Sequence, residues 1–198
     1  DAKLSSIFDQ LIKMNDDNVF TVWLDARTGS IGINQQIIDA SSNFVLEENG
    51  ETVFFGLSGD AGKDNLIQAF PRPVQNDAIV IWHDTRAASN GYQILFQYIN
   101  PDGSVDLETN GRSLTTFTGF EKSEFSAAIN AAGETIVVWI EQRGDYKKVY
   151  AQLIDVDGNS LWGDEGIEMS SAFTAGQEDP RVSYYNGDFY VGWTDNML

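Results

Sequence analysis

The amino-acid sequence predicts an all-β chain, a β-propeller of about three and a half four-stranded blades that forms part of a larger ring. Three observations predict it. One segment recurs: VFTVWLDAR ending at Arg27, IVIWHDTR ending at Arg86, IVVWIEQR ending at Arg143 and FYVGWTDN beginning at Phe189. Its anchoring Trp23, Trp82, Trp139 and Trp193 recur at closely similar intervals. A second block, NQQIID, LFQYIN and YAQLID, follows each complete anchor. Its Gln36, Gln97 and Gln152 are each followed, at one identical offset, by a glycine: Gly50, Gly111 and Gly166. Finally, runs such as Ile79-Val80-Ile81-Trp82 are apolar on both alternating faces, as a strand must be when layers cover it on two sides. A repeat of this length built of doubly buried short strands is a propeller blade.

Each repeat divides into four strands in order. The first precedes the Trp strand, and the Trp strand follows it. The Gln strand is third and ends in turn chemistry, Asn100-Pro101-Asp102-Gly103 and Asp155-Val156-Asp157-Gly158. There Asp and Asn side chains bond their own backbone and Gly supplies a positive φ. The fourth strand runs toward the shared glycine. The repeats fall at about 1–59, 60–119, 120–175 and an incomplete 176–198, within a single repeat domain 1–198. Two segments carry helical spacing instead: Leu4, Ile7, Phe8, Leu11 and Ile12, and Phe125, Ala128, Ile129 and Ala132. The repeat assigns both to the strand before the Trp strand. A β-sandwich made of the same hairpins is the alternative architecture.

Composition narrows the function classes. The 198 residues carry 12 Lys and Arg against 30 Asp and Glu, a formal charge of -18, which argues against nucleic acid and against an anionic membrane surface as partners. Without cysteine and with His83 as the only histidine, the chain can build neither a disulfide framework, a thiolate or His-rich metal site, nor a Cys nucleophile. No apolar run approaches the roughly 20 residues of a membrane helix, so direct membrane insertion is not expected. Asp1 stands where an initiator Met would, which fits a processed chain or a fragment.

The candidate residues each have a plain structural reading. The repeated tryptophans belong in the core, whereas Trp162 occurs in one repeat only and is the candidate ligand-binding platform. The pairs Asp25 and Arg27, Asp84 and Arg86, and Glu141 and Arg143 stand two apart on one strand face; recurrence in every complete repeat favours a structural staple. His83 takes the place of Leu24, Ile140 and Thr194, so catalysis by it is not expected. No catalytic set emerges: thirty acidic residues make many pairs, and spacing along the chain does not give separation across strands. Calcium is the one candidate ion, with Asp155, Asp157 and Asn159 as its candidate ligand set, although the glycine falls at position four rather than six of an EF-hand loop and position twelve is Gly166. Otherwise no cofactor is expected.

IVVWIEQR, VYAQLID and DGNSLWGDEG in the third repeat resemble a repeat type of large secreted and cell-surface proteins of bacteria, Bacteroidota especially. The first repeat departs from it, with Ala40-Ser41-Ser42-Asn43 in place of the Gly turn, and the second lacks the Trp-Gly. The resemblance implies an extracellular or cell-surface location, and export by the type IX system, whose sorting domain is not visible in the sequence. The leading expectation is a non-catalytic module for adhesion or recognition of protein or glycan, with other domains or chains completing the propeller. The alternatives are a structural component or fragment of a secretion or surface assembly, and a glycan-active propeller hydrolase or lyase.

Overall fold

A computed structural model describes residues 10–14, 17–25, 31–57, 67–84, 91–116, 118–170 and 176–196. Among them the chain is all-β. Three four-stranded sheets follow chain order: β1 (Gln10–Lys13), β2 (Val19–Asp25), β3 (Ile31–Ile38) and β4 (Glu51–Leu57); β5 (Ile67–Arg72), β6 (Asp77–Asp84), β7 (Gln93–Ile99) and β8 (Arg112–Ser113); β9 (Lys122–Ile129), β10 (Thr135–Glu141), β11 (Lys148–Ile154) and β12 (Ile167–Glu168). β13 (Gln177–Tyr185) and β14 (Asp188–Asp195) form a two-stranded antiparallel hairpin. These are blades one to three and a half blade, as the repeat predicts. Of the segments with helical spacing, Leu11 and Ile12 lie in β1 and Phe125, Ala128 and Ile129 in β9, with Ala132 in the turn that follows. Apolar spacing on so short a stretch does not separate the two periods, and pairing with the Trp strand decides.

The chain divides into two compact units, residues 1–86 with 95–112, and residues 87–94 with 113–198. In the first, Phe20, Val22 and Leu24 of β2 join Ala78, Val80 and Trp82 of β6 in one buried core. In the second, Ile136, Val138 and Ile140 of β10 pack against Val182, Tyr184, Phe189, Val191 and Trp193 of the half blade. β6 and β10 are buried along their whole length, both faces included, whereas β14 alternates between half-buried and exposed.

The shared residues of the repeat are staples. Each repeated glutamine binds the loop that returns ten and eleven positions later. Gln36 Nε2 donates to the Glu47 carbonyl at 2.7 Å while its Oε1 accepts the Leu46 N–H at 3.2 Å. Gln97 does the same with Glu108 and Leu107 at 2.9 and 2.8 Å, and Gln152 with Gly163 and Trp162 at 2.7 and 2.9 Å. The glycine that follows each glutamine lies on the indole of its own blade's tryptophan. A Cβ at Gly50, Gly111 or Gly166 would collide with Trp23, Trp82 or Trp139, and all three glycines have positive φ, at 75°, 78° and 69°. The first repeat makes the same turn as the others without its glycine. Ser42 occupies the left-handed position at φ 68°, equivalent to Gly103 at 85° and Gly158 at 83°, and Asp39 Oδ1 ties the loop by accepting the Ser41 and Asn43 N–H groups at 2.8 Å each.

Candidate functional site

The first strands of blade three and of the half blade begin with the same irregularity. In the β9–β10 ladder Ser123 faces Ile140 and Ser126 faces Val138, which leaves Glu124 and Phe125 opposite Trp139 alone. In β13–β14, Glu178 faces Thr194 and Arg181 faces Gly192, which leaves Asp179 and Pro180 opposite Trp193. Two residues opposite one make a β-bulge, and bulges re-aim side chains beside functional sites. Proline fits the second position because a bulge releases it from the ladder. The first position is left-handed in both, with Glu124 at φ 49° and Asp179 at φ 51°. Glycine is the residue suited to that conformation, and an acidic residue there costs roughly 1–2 kcal/mol.

The two bulges meet. Glu124 Oε2 accepts the backbone N–H of Asp179 at 2.9 Å, and two positions on, Ser126 Oγ accepts the Val182 N–H at 3.3 Å. Two strained acidic residues, one from each neighbouring first strand, are thereby held side by side, Glu124 half-buried and Asp179 exposed. Arg181 reaches the Asp179 carboxylate at 3.6 Å. Strain of this kind in a non-glycine residue concentrates at functional sites.

A buried polar layer braces this end of blade three. Glu141 is sealed from solvent, accepts the Trp139 indole N–H at 2.7 Å and pairs with Arg143 at 2.9 Å. Arg143 also bridges to Glu165 at 2.8 Å and lies 4.1 Å over the Tyr150 ring. Lys122, opposite Glu141 in the ladder and only 1% exposed, donates to Gln93 Oε1 at 2.8 Å. Burial pushes its ammonium below the usual lysine range; Glu141 pulls the other way and Arg143 adds to the fall. In the half blade Gln177 replaces the lysine and donates to Asp195 at 2.8 Å, and Asp195 accepts the Trp193 indole N–H at 3.2 Å. In blade three and the half blade the Trp-x-acid motif is therefore an indole–carboxylate link across one strand face, whereas the buried Trp82 indole N–H of blade two makes no hydrogen bond.

The residues singled out in the sequence fall elsewhere. Asp155 ties its own hairpin: Oδ1 accepts the Asp157 and Asn159 N–H groups at 2.9 and 2.8 Å, and Oδ2 accepts the Asn159 amide at 2.9 Å. The three residues expected to hold calcium are thus joined to one another as a turn, and the described residues hold no group of three or more His, Asp or Glu placed to bind a metal ion. Trp162 is half-buried against the core of blade three. It occupies the position that Leu46 and Leu107 hold under the glutamine clamps of the other blades, so the platform expected there is a packing residue of the repeat. His83 is buried within β6. Arg27 and Arg86 lie outside the described residues; of the three acid-x-Arg staples, the Glu141–Arg143 pair is described and bonds within its blade. Sequence reasoning missed Glu124 and Asp179 because their hairpins close with turns of different length, so that Glu124 stands one position further before its tryptophan than Asp179 does. The available signal was an acidic residue, Glu124, at the offset that holds Phe8 and Ile67 in the first two repeats.

No protein-family model matches the chain, and no curated protein matches it in sequence. Solved structures do. An endo-arabinase from Bacteroides thetaiotaomicron aligns at TM-score 0.53 and 10% identity over 99% of this chain and 72% of its own. An α-L-arabinofuranosidase of Fusarium graminearum aligns at 0.54 and 13% over 94% and 58%. An exo-β-1,3-galactanase from Phanerochaete chrysosporium aligns at 0.56 and 8% over 98% and 44%. The chain thus spans from less than half to about three quarters of these proteins. They correct the expectation of a non-catalytic recognition module that is not an enzyme: the solved propellers this chain resembles are glycan-cleaving enzymes. That expectation rested on the absence of a catalytic set from the linear spacing of the acidic residues. At such low identity the likeness establishes architecture alone, and by it the chain is a partial β-propeller.

Proposed function

We propose that the chain forms part of a glycan-active propeller hydrolase in which Glu124 and Asp179 belong to the carboxylate set. The observation that carries this reading is their juxtaposition, two strained acidic bulge residues on adjacent first strands joined by a 2.9 Å hydrogen bond. Glycosidic cleavage uses carboxyl groups on either side of the bond, one donating a proton to the leaving oxygen and one serving as base or nucleophile. Glu124 accepts a backbone hydrogen bond, which suits a carboxylate serving as proton acceptor or stabilising the developing positive charge. Asp179 and Arg181 stand exposed beside it to hold sugar hydroxyls. The proton donor is then a further group. The activities of the structural neighbours favour arabinan or galactan among substrates, and the acidic composition suits an extracellular setting.

The test is release of reducing sugar from arabinan and β-1,3-galactan oligosaccharides. Glu124→Gln is expected to lower kcat by roughly 10²–10⁴-fold, and Asp179→Asn to lower kcat/KM chiefly through KM, both with melting temperature unchanged. Activity indifferent to both substitutions, or none on any such glycan, rejects the reading.

A further inference from the structure

Away from the carboxylate pair, the β10–β11 hairpin of blade three borders a groove of about 310 Å³, at the lower end of the range for small-ligand sites. It lies on the other face of the sheet. Val138 and Ile140 turn toward the half blade, on whose side Glu124 meets Asp179. Trp139 and Glu141 alternate with them onto the opposite face, where Arg143 bonds Glu141 and the groove opens. Its floor is fixed. Tyr150 is buried, stacks on Trp139 with ring centroids 6.2 Å apart and carries the Arg143 guanidinium 4.1 Å over its ring. At the mouth, Lys148 Nζ pairs with Glu168 Oε1 at 2.7 Å, and the Tyr150 hydroxyl stands 3.5 Å from Glu168 Oε2. Tyr146, 41% exposed, also lines it.

These residues stand apart from the repeat. Counted from the shared glutamine and glycine, the places of Lys148, Tyr150 and Glu168 are held by Gly32, Asn34 and Thr52 in blade one and by Gln93, Leu95 and Ser113 in blade two. Staples recur in every blade, and this set occurs once. We propose that the groove binds a neutral sugar unit of a glycan, at a site separate from the carboxylate pair. Charge decides against an anion. Arg143 and Lys148 each already face a carboxylate, so no positive charge is left over for a ligand. Hydrogen-bonding capacity does remain. An ammonium has three donors and Lys148 uses one among the described residues, while each Glu168 oxygen holds a single neighbour and keeps a lone pair. A donor and an acceptor so close together suit adjacent hydroxyls, each of which can accept from the one and donate to the other. Tyr146 offers an apolar ring face to the C–H side of a sugar while its own hydroxyl stays in water. That the glycan is of arabinan or β-1,3-galactan type rests on the hydrolase reading; the preference for a neutral polyol does not.

The test follows amide spectra of the full chain during titration with short arabinan and β-1,3-galactan oligosaccharides. Saturable shifts are expected at residues 143–150 and at Glu168. Binding is expected to weaken about tenfold in Tyr146→Ala and in Glu168→Gln, the loss of one aromatic or one charge-assisted contact. Both side chains are partly exposed, so the melting temperature should hold in each variant. The same titration in Glu124→Gln, which takes hydrolysis out of the measurement, is expected to give the same shifts. Binding without any cleavage therefore rejects the hydrolase reading and keeps the groove. Shifts that centre on Glu124 and Asp179 and leave the groove untouched, affinity indifferent to both groove variants, or no saturable shift at roughly tens of millimolar sugar overturns the proposal. Tighter binding of galacturonic acid than of galactose overturns it too, by showing an anion site.

Discussion

Blade three and the half blade carry the same anchor in different surroundings. Trp139 is 0% exposed and its N–H meets a carboxylate with no solvent access; Trp193 is half-buried and meets a carboxylate in solvent. β10 is covered on both faces and paired on both edges, whereas β14 is covered on one face and, among the described residues, paired on one edge. The difference teaches that the Trp-x-acid motif sets orientation, while the strands around it set its energetic weight. A hydrogen bond to a charged group gains strength as water leaves and becomes costly to break on one side only.

The largest contrast is in the tryptophans themselves. Trp139→Ala should cost about 3–5 kcal/mol, the range for emptying a closed aromatic site, and Trp193→Ala about 1–2 kcal/mol because the loss is half made already. Denaturant titration of the two variants measures this; equal losses would mean that β14 is covered in solution. The carboxylates come next. Glu141→Gln leaves Lys122 and Arg143 beside an uncharged amide and should cost about 3 kcal/mol, since removing one partner strands a buried charge. Asp195→Asn should stay within about 0.5 kcal/mol. The same titration reads both, and an Asp195→Asn loss as large as that of Glu141→Gln would erase the distinction.

Much of this comparison was legible in the sequence. The tryptophan period, the glutamine and the glycine all serve a single structural requirement, since Trp139 needs Gly166 above it and Gln152 holds the loop that delivers that glycine. Ser42 shows the limit, because a serine made the turn that glycine makes elsewhere once Asp39 tied the loop. The carboxylate pair was hidden for a different reason. A bulge leaves no fixed mark in sequence, and the two hairpins close differently, across residues 130–134 in one and Asn186-Gly187 in the other, so Glu124 and Asp179 share a structural position at unequal distances from their tryptophans. Their partnership is set by the pairing of neighbouring first strands, far apart along the chain.

Those two residues allow a sharper test, because strain and chemistry should part company. Glu124→Gly and Asp179→Gly place the residue suited to a positive φ at each bulge and should raise stability by about 1 kcal/mol, within the cost of the left-handed conformation. Glycan cleavage should fall with either. A gain in stability with loss of activity is the signature of a strained functional residue; loss of both would mark the carboxylates as structural links between the strands.

The smallest effect separates the turns. The half blade closes at Asn186-Gly187, both at positive φ, at 50° and 97°, the pattern of a type I′ hairpin that contains no titrating group. The Gln strand of blade three closes at Asp155. Burial raises the Asp155 carboxyl, but the hydrogen bonds from Asn159 and from the Asn159 and Asp157 backbone outweigh it and leave it below its usual range. A carboxyl lowered in the folded state adds stability above its unfolded value of 3.8, and that contribution disappears as pH falls through the lower folded value. Amide protection at Asp157 and Asn159 should therefore decline between roughly pH 4 and pH 2, ahead of any change at the Asn186-Gly187 turn. Asp155→Asn should flatten the decline, since an amide keeps the acceptor oxygen without the titration, as Asn130 does in the β9–β10 turn, where its Oδ1 accepts the Ala132 and Glu134 N–H groups at 3.0 and 2.9 Å. A decline that persists in Asp155→Asn would place the acid-sensitive group elsewhere in the blade and leave the two turns equivalent.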